Sequence, residues 1–349
     1  MKKKLLFILS LFLLIFIYSA GILIKFNFGT SATDYFNKGM HQIVLHNYKK
    51  AIENFNKAIS INFNYSEAYF NRGNAKEYLN DKKGAIEDYN KAILRNPNLD
   101  YMYINRGNAK SNLKEAIKDY NKAISINPHN LAAYHNRANA KERLGDYKGA
   151  INDYTKAISM TQKPLSYESR GQAKQHLGDY AGALQDYNKA ISLFPNSDMG
   201  YIFRAGIKSE LGNDKGAVDN YNKALSLNIN KDMAYNALGY LYILNNETDL
   251  AIENLEKALT LNINSPCILS NLGEAYQQKN DINKSKKYYQ RAKKVYPSFP
   301  KYLYKEAIET RLKNIRNSKS CIRQAYAMSP DDKEIKKLYD ELILNSKKD

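Results

Sequence analysis

The sequence predicts an all-α solenoid of stacked helical hairpins, and three observations carry that expectation. The first is a fixed period. The stretch Tyr69–Pro97, YFNRGNAKEYLNDKKGAIEDYNKAILRNP, returns in close copies from Tyr134, Tyr167 and Tyr201. Small residues fall 34 apart at Gly39, Gly73 and Gly107, and again at Ala205, Gly239 and Gly273. A repeat of that length marks units that bury their faces only against their neighbours. The second observation is helical spacing inside a unit. Tyr69, Gly73 and Lys76 share one face of a first helix, while Ala85, Tyr89 and Ala92 share a face of a second. The third is punctuation. Gly145, Gly178 and Gly212 stand at the 15th position of their units, where a first helix ends in the left-handed region. Asp81, Asp146 and Asp179 follow as caps of the second helix, and Pro97, Pro128, Pro195 and Pro297 close it.

Taken in order, the chain opens on a basic stub, residues 1–4, followed by an uncharged apolar run, Leu5 to Ile24, and then Lys25. About 20 apolar residues make a helix of roughly 30 Å, enough to cross a bilayer. Tyr18-Ser19-Ala20 puts a bulky residue where a signal-peptide cleavage site wants a small one, so an uncleaved transmembrane anchor is expected over a cleaved signal. Lys2, Lys3, Lys4 and the free amine before the run, against Lys25 alone after it, place the N-terminus in the cytoplasm and the repeats beyond the membrane. A secreted or periplasmic chain, released by cleavage, is the alternative.

Residues 25–31 form a tether. Units are then expected over 32–65, 66–99, 100–130, 131–163, 164–197, 198–231, 232–265, 266–299 and 300–332. The third is short: Gly107 and Ala116 lie nine apart where other units use twelve, so its turn must tighten. The ninth is degenerate, keeping Leu303, Ala307, Ala325 and Pro330. Residues 333–349 hold a capping helix, Glu334–Leu344, with Ile335, Leu338, Leu342 and Ile343 on one face, and a polar tail.

At these residues the chain resembles the tetratricopeptide repeat family, whose pattern is an aromatic at position 4, Leu at 7, Gly or Ala at 8, Tyr at 11, Ala at 20, an aromatic at 24, Ala at 27 and Pro at 32. The resemblance covers roughly residues 32–332 and implies a right-handed superhelical solenoid of about nine repeats. It also implies a concave groove that serves a peptide or protein partner. There are two departures. Arg72, Arg106, Arg137, Arg170 and Arg204 occupy position 7, and Lys76, Lys110, Lys141, Lys174 and Lys208 occupy position 11. These are expected to alter what the inner helices display.

The Arg column has a companion. Position 23 is Asp88, Asp119, Asp153 and Asp186 in the first four of those units and Asn220 in the fifth. Arg and Asp rise and fall together, so paired charges between the helices of a hairpin are expected rather than a ladder of ligand-binding arginines. A second column is Asn37, Asn71, Asn105 and Asn136 at position 6, with Asn74, Asn108 and Asn139 at position 9. At 100° per residue these positions turn away from positions 4, 8 and 11. In the family that face lines the groove, where asparagines hold the backbone of an extended peptide. The basic residues that would add a carboxylate clamp are missing here, since Phe70, Ile104 and His135 stand at position 5.

Composition excludes more than it identifies. The net charge is +18, and about fourteen basic residues lie between Lys279 and Arg323 against three acidic ones, which makes an anionic polymer or surface the alternative partner. Nucleic acid is not expected, because no aromatic platform interleaves those charges. Cys267 and Cys321 stand in different units and form no disulfide framework. The histidines, His41, His46, His129, His135 and His176, form no ligand pair at helical spacing, so no metal is expected, and no cofactor motif occurs. With no catalytic constellation, the expectation is a non-enzymatic, membrane-anchored scaffold.

Overall fold

The computed structural model describes residues 31–227, 229–300, 303, 307 and 315–344. The expected anchor at 5–24, the tether at 25–31 except for Ser31, and most of the first half of the ninth unit lie outside the described residues. Among those residues no helix is long and apolar enough to cross a membrane.

All described regular structure is helical. The hairpins pair α1 (Ala32–Val44) with α2 (Tyr48–Ile61), α3 (Ser66–Tyr78) with α4 (Lys82–Arg95), and α5 (Asp100–Ala109) with α6 (Leu113–Ile126). Next come α7 (Leu131–Arg143) with α8 (Tyr147–Met160), and α9 (Pro164–His176) with α10 (Tyr180–Leu193). Then α11 (Asp198–Glu210) packs with α12 (Asp214–Leu227), α13 (Lys231–Leu244) with α14 (Thr248–Leu261), and α15 (Pro266–Gln278) with α16 (Ile282–Val295). The chain closes with α17 (Ile315–Met328), α18 (Lys333–Tyr339) and a π-helical turn, Asp340–Leu344. It divides into two compact bodies, separated in sequence between Ala133 and Tyr134 within α7. Each is a stack of hairpins.

The punctuation works as its chemistry requires. Gly145, Gly178 and Gly212 have φ of 81°, 80° and 76°. The same left-handed turn is made by His46, Asn80, Asn246 and Asn280, positions the glycine column did not flag. Asp81, Asp146 and Asp179 each accept the N–H of a glycine three residues on, at 2.9 Å. Between the paired helices, position 8 faces the position-24 ring: a Cβ on Gly73 would lie 2.8 Å from Tyr89. The capping helix is present, with Ile335, Leu338, Leu342 and Ile343 buried and Asp332 as its N-cap.

The short third unit loses a turn of its first helix. Helix α5 has 10 residues where its neighbours α3 and α7 have 13, and it stops at Ala109. Lys110 leaves the helix with ψ of 134°, and Asn112 caps α6. The Arg106–Asp119 pair survives because both partners lie on the helix interface, away from the deleted turn.

Candidate partner-binding site

The two departures from the repeat pattern turn out to belong together, and they correct one expectation. Arg72 and Lys76 are not displayed. Both reach the buried carboxylate of Asp88, at 2.5 Å and 2.8 Å. The same triad forms in Arg106–Asp119–Lys110, Arg137–Asp153–Lys141 and Arg170–Asp186–Lys174, with every contact between 2.5 and 2.8 Å. Each guanidinium also stacks on its own position-4 ring, as Arg137 does on Tyr134 at 5.4 Å. The free fork of Arg72 donates to Asn56 of the preceding unit, as Arg106 does to Asn90, Arg170 to Thr155 and Arg204 to Asn188. Position 7 is therefore a staple within and between units. In the sixth unit Asn220 accepts from Arg204 at 2.8 Å and turns its amide onto the Gly216 carbonyl.

The asparagine column divides. At position 9, Asn74, Asn108 and Asn139 do not turn wholly away from the hairpin interface. Their carbonyl oxygens accept the hydroxyls of Tyr89, Tyr120 and Tyr154, at 2.8, 2.9 and 2.5 Å. A ring long enough to fill the space beside Gly73 carries its hydroxyl out to the far edge of the helix, where position 9 meets it. Glu77 also accepts from Tyr89, and Glu142 from Tyr154. Burial first, then the neighbouring Glu77, holds the Tyr89 phenol well above its usual range. These asparagines thus have a structural reason.

Position 6 differs. Asn71 donates only back to the Glu67 carbonyl of its own helix, at 2.8 Å, and Asn105 reaches Asn74 at 3.2 Å. Asn37 is exposed on α1 and Asn136 is partly buried on α7. In the N-terminal body Asn71, Asn74, Asn105 and Asn108 come together. With Ile43, Glu77 and Tyr78 they line an open concavity of about 490 Å³. Its apolar edge includes Tyr78, which stacks on Tyr48 with ring centres 4.6 Å apart. Amide groups offer both donors and acceptors, so this wall can match peptide backbone without demanding a sequence. No Lys or Arg lines it, in keeping with the absent carboxylate clamp.

The other candidates disperse. His135 sits edge-on to Tyr154 and His176 stacks on Tyr147, so the two do not share a site. No group of three or more His, Cys, Asp or Glu among the described residues could hold a metal. Cys267 is exposed and Cys321 buried, and neither forms a disulfide among the described residues. In the basic stretch, Lys279, Lys284, Arg316 and Arg323 each lie within 4.0 Å of a carboxylate, which reduces the excess charge it presents.

Family models described as tetratricopeptide repeat or TPR repeat match residues 35–65, 66–99, 109–145, 131–164, 164–197, 239–280 and 268–299. No curated protein matches the sequence. Among solved structures, a tetratricopeptide repeat protein from Parabacteroides merdae is similar with a TM-score of 0.60 and 19% identity, over 71% of this chain and 99% of that one. The Cut9 and Hcn1 hetero-tetramer of the APC/C matches at 0.53 and 16%, over 91% of this chain and 57% of the other. The C-terminal part of a TPR repeat-containing protein from Cytophaga hutchinsonii matches at 0.50 and 21%, over 75% and 96%. At these identities the likeness speaks for the fold.

Proposed function

Because the chain belongs to the tetratricopeptide repeat family, a family of protein–protein interaction scaffolds, we propose that it holds an extended segment of a protein partner in the concavity of its N-terminal body. The carrying observation is the amide-lined wall of Asn71, Asn74, Asn105 and Asn108. The two position-6 amides are the better hands for a ligand, since Asn74 and Asn108 are already engaged by tyrosine hydroxyls. The reading includes an anchor at Leu5–Ile24 that leaves the repeats beyond the membrane, supported by the lysine asymmetry around that run. No part of the reading calls for catalysis.

Full-length chain, solubilised with its N-terminal segment, should capture its partner from the same membranes. The purified pair should then lose tenfold or more in affinity with Asn71→Ala and Asn105→Ala together, from about 1 kcal/mol per lost hydrogen bond. Helix content should stay unchanged. Undiminished affinity refutes the groove. The rival reading, an anionic polymer on 279–323, rests on the exposed lysines Lys286, Lys287 and Lys294 of α16. That reading wins if neutralising those lysines abolishes binding and the affinity collapses steeply with salt.

A further inference from the structure

The face that is open in the N-terminal body is covered in the last repeats. By the 34-residue register, Asn271 and Glu274 of α15 stand where Asn71 and Asn74 stand in α3, and Tyr240 of α13 is the position-9 residue of its unit. All three are engaged by α17. Second helices elsewhere pack on their own first helix and on the next one. Helix α17 in addition lies on α15 and α13, first helices one and two units before its own. It runs antiparallel to them. Arg316 donates to Asn245, at the end of α13, at 3.1 Å, and eight residues on Gln324 meets Ser270 in the first half of α15.

The contact is a polar stripe. Asn317, Ser320 and Gln324 are spaced i, i+3, i+7, so they share one face of α17. Asn317 accepts from the Tyr240 hydroxyl. Ser320 donates to the Glu274 carboxylate at 2.6 Å, and the Gln324 amide donates to the same oxygen at 2.5 Å and to Asn271 at 3.3 Å. Ser270 donates to the Gln324 carbonyl, and Asn271 extends the network to Asn236 at 3.0 Å. Glu274, Ser320 and Gln324 are 3%, 0% and 2% exposed, so each depends on the others for its hydrogen bonds. Ends hold it as well: Arg316 sits 3.6 Å from Asp214, and Lys293 caps the last carbonyl of α17, that of Met328, at 3.1 Å.

We propose that α17 is a resident ligand of the chain's own groove. It occupies the face of α13 and α15 that corresponds to the open amide wall, and a partner helix bearing a Ser/Asn–Gln stripe can engage that face only when α17 leaves. The fit is specific in chemistry. A buried carboxylate, Glu274, receives two neutral donors on one oxygen and has Arg323 3.7 Å from the other, and a phenol, Tyr240, receives an amide acceptor. An apolar helix would leave all of them unpaired. This inference does not depend on the N-terminal concavity, and its test does not touch it.

The test uses the full chain carrying Ser320→Asp and Gln324→Glu, which set two carboxylates against Glu274. The probe is a fluorescent peptide of residues 315–328, IRNSKSCIRQAYAM, under reducing conditions. Expected is faster amide exchange across α15 and α17 with protection of α1–α12 unchanged, and capture of the peptide at least tenfold tighter than by the wild type. The peptide carrying the Gln324→Glu change should not bind. Equal capture by both chains, or none by either, overturns the proposal, because the face then has no use for a free stripe. Should the double variant lose α1–α12 protection as well, Gln324→Ala, which adds no charge, replaces it. It must still bind the peptide better than the wild type, or the helix is only a structural cap.

Discussion

Asp153→Ala tests the central structural claim, that each hairpin is riveted by one buried anion between two cations. Asp153 takes Arg137 at 2.5 Å on one oxygen, and Lys141 at 2.8 Å and the Arg137 Nε at 2.9 Å on the other. Its side chain is 6% exposed, against 17% for Arg137 and 21% for Lys141. Breaking a fully buried pair costs about 3–5 kcal/mol, mostly for the charge left behind. Here two cations lose their shared anion, yet both keep enough exposure for water to reach them, so about 2–3 kcal/mol is expected. The chain contains its own milder control. Asn220 still accepts from Arg204, so Asp153→Asn should cost about 1 kcal/mol less than Ala. Urea denaturation followed by helical ellipticity reads both, with the slope unchanged. A loss below about 0.5 kcal/mol for Asp153→Ala would refute the rivet. So would a cycle with Arg137→Met showing no coupling, which would return the arginines to the pool of ligand-binding groups.

Two further outcomes follow from the same contacts. Tyr89→Phe removes the hydroxyl that Asn74 and Glu77 share and should cost about 1 kcal/mol in the same assay, whereas an unchanged midpoint would mean that Asn74 is held by solvent and open to a ligand. Glu274 should make the C-terminal repeats lose stability as pH rises. Burial first, against the donors Ser320, Gln324 and Arg323, raises its carboxyl above the usual value, with Tyr240 and Tyr289 also facing it. A raised folded value means that the folded state holds the proton longer. Stability from this group is then complete below the ordinary carboxylate range and falls as pH climbs through the folded value. Glu274→Gln should therefore gain on the wild type as pH rises from the ordinary carboxylate range through the raised folded value, as read by denaturation midpoints. A relative loss over that interval would show the three donors outweighing burial.

Much of this molecule is legible in its sequence, because repeated copies of one unit let columns within the chain stand in for comparison. Helix ends followed from Gly145, Asp146 and Pro128, whose backbone needs are local. The Arg–Asp pairing followed from co-occurrence, since Asn220 appears where the pairing relaxes. The position-11 lysines were harder. A periodicity argument sees Lys76 as a charge on a helix and sends it to water, but two arms of different length can converge on one Asp only in three dimensions. The left-handed turns at His46 and Asn280 were hidden for a related reason, as the hairpin imposes a conformation that their own types merely tolerate. Position 9 was misjudged through the length of tyrosine: helical angle alone places Asn74 away from the interface, and the phenol reaches around to it. Least legible was α17. Its polar stripe, Asn317, Ser320 and Gln324, reads as an ordinary solvated face, and only the buried carboxylate of Glu274 on another helix gives it meaning. Repetition reveals what every unit shares, so a contact made once, by the last helix against the groove, is what it leaves out. The asymmetry between an open N-terminal wall and a filled C-terminal one therefore cannot come from the repeat pattern. It comes from the few substitutions, Glu274 for Asn at position 9 among them, that turn an amide-lined face into a seat for the chain's own helix.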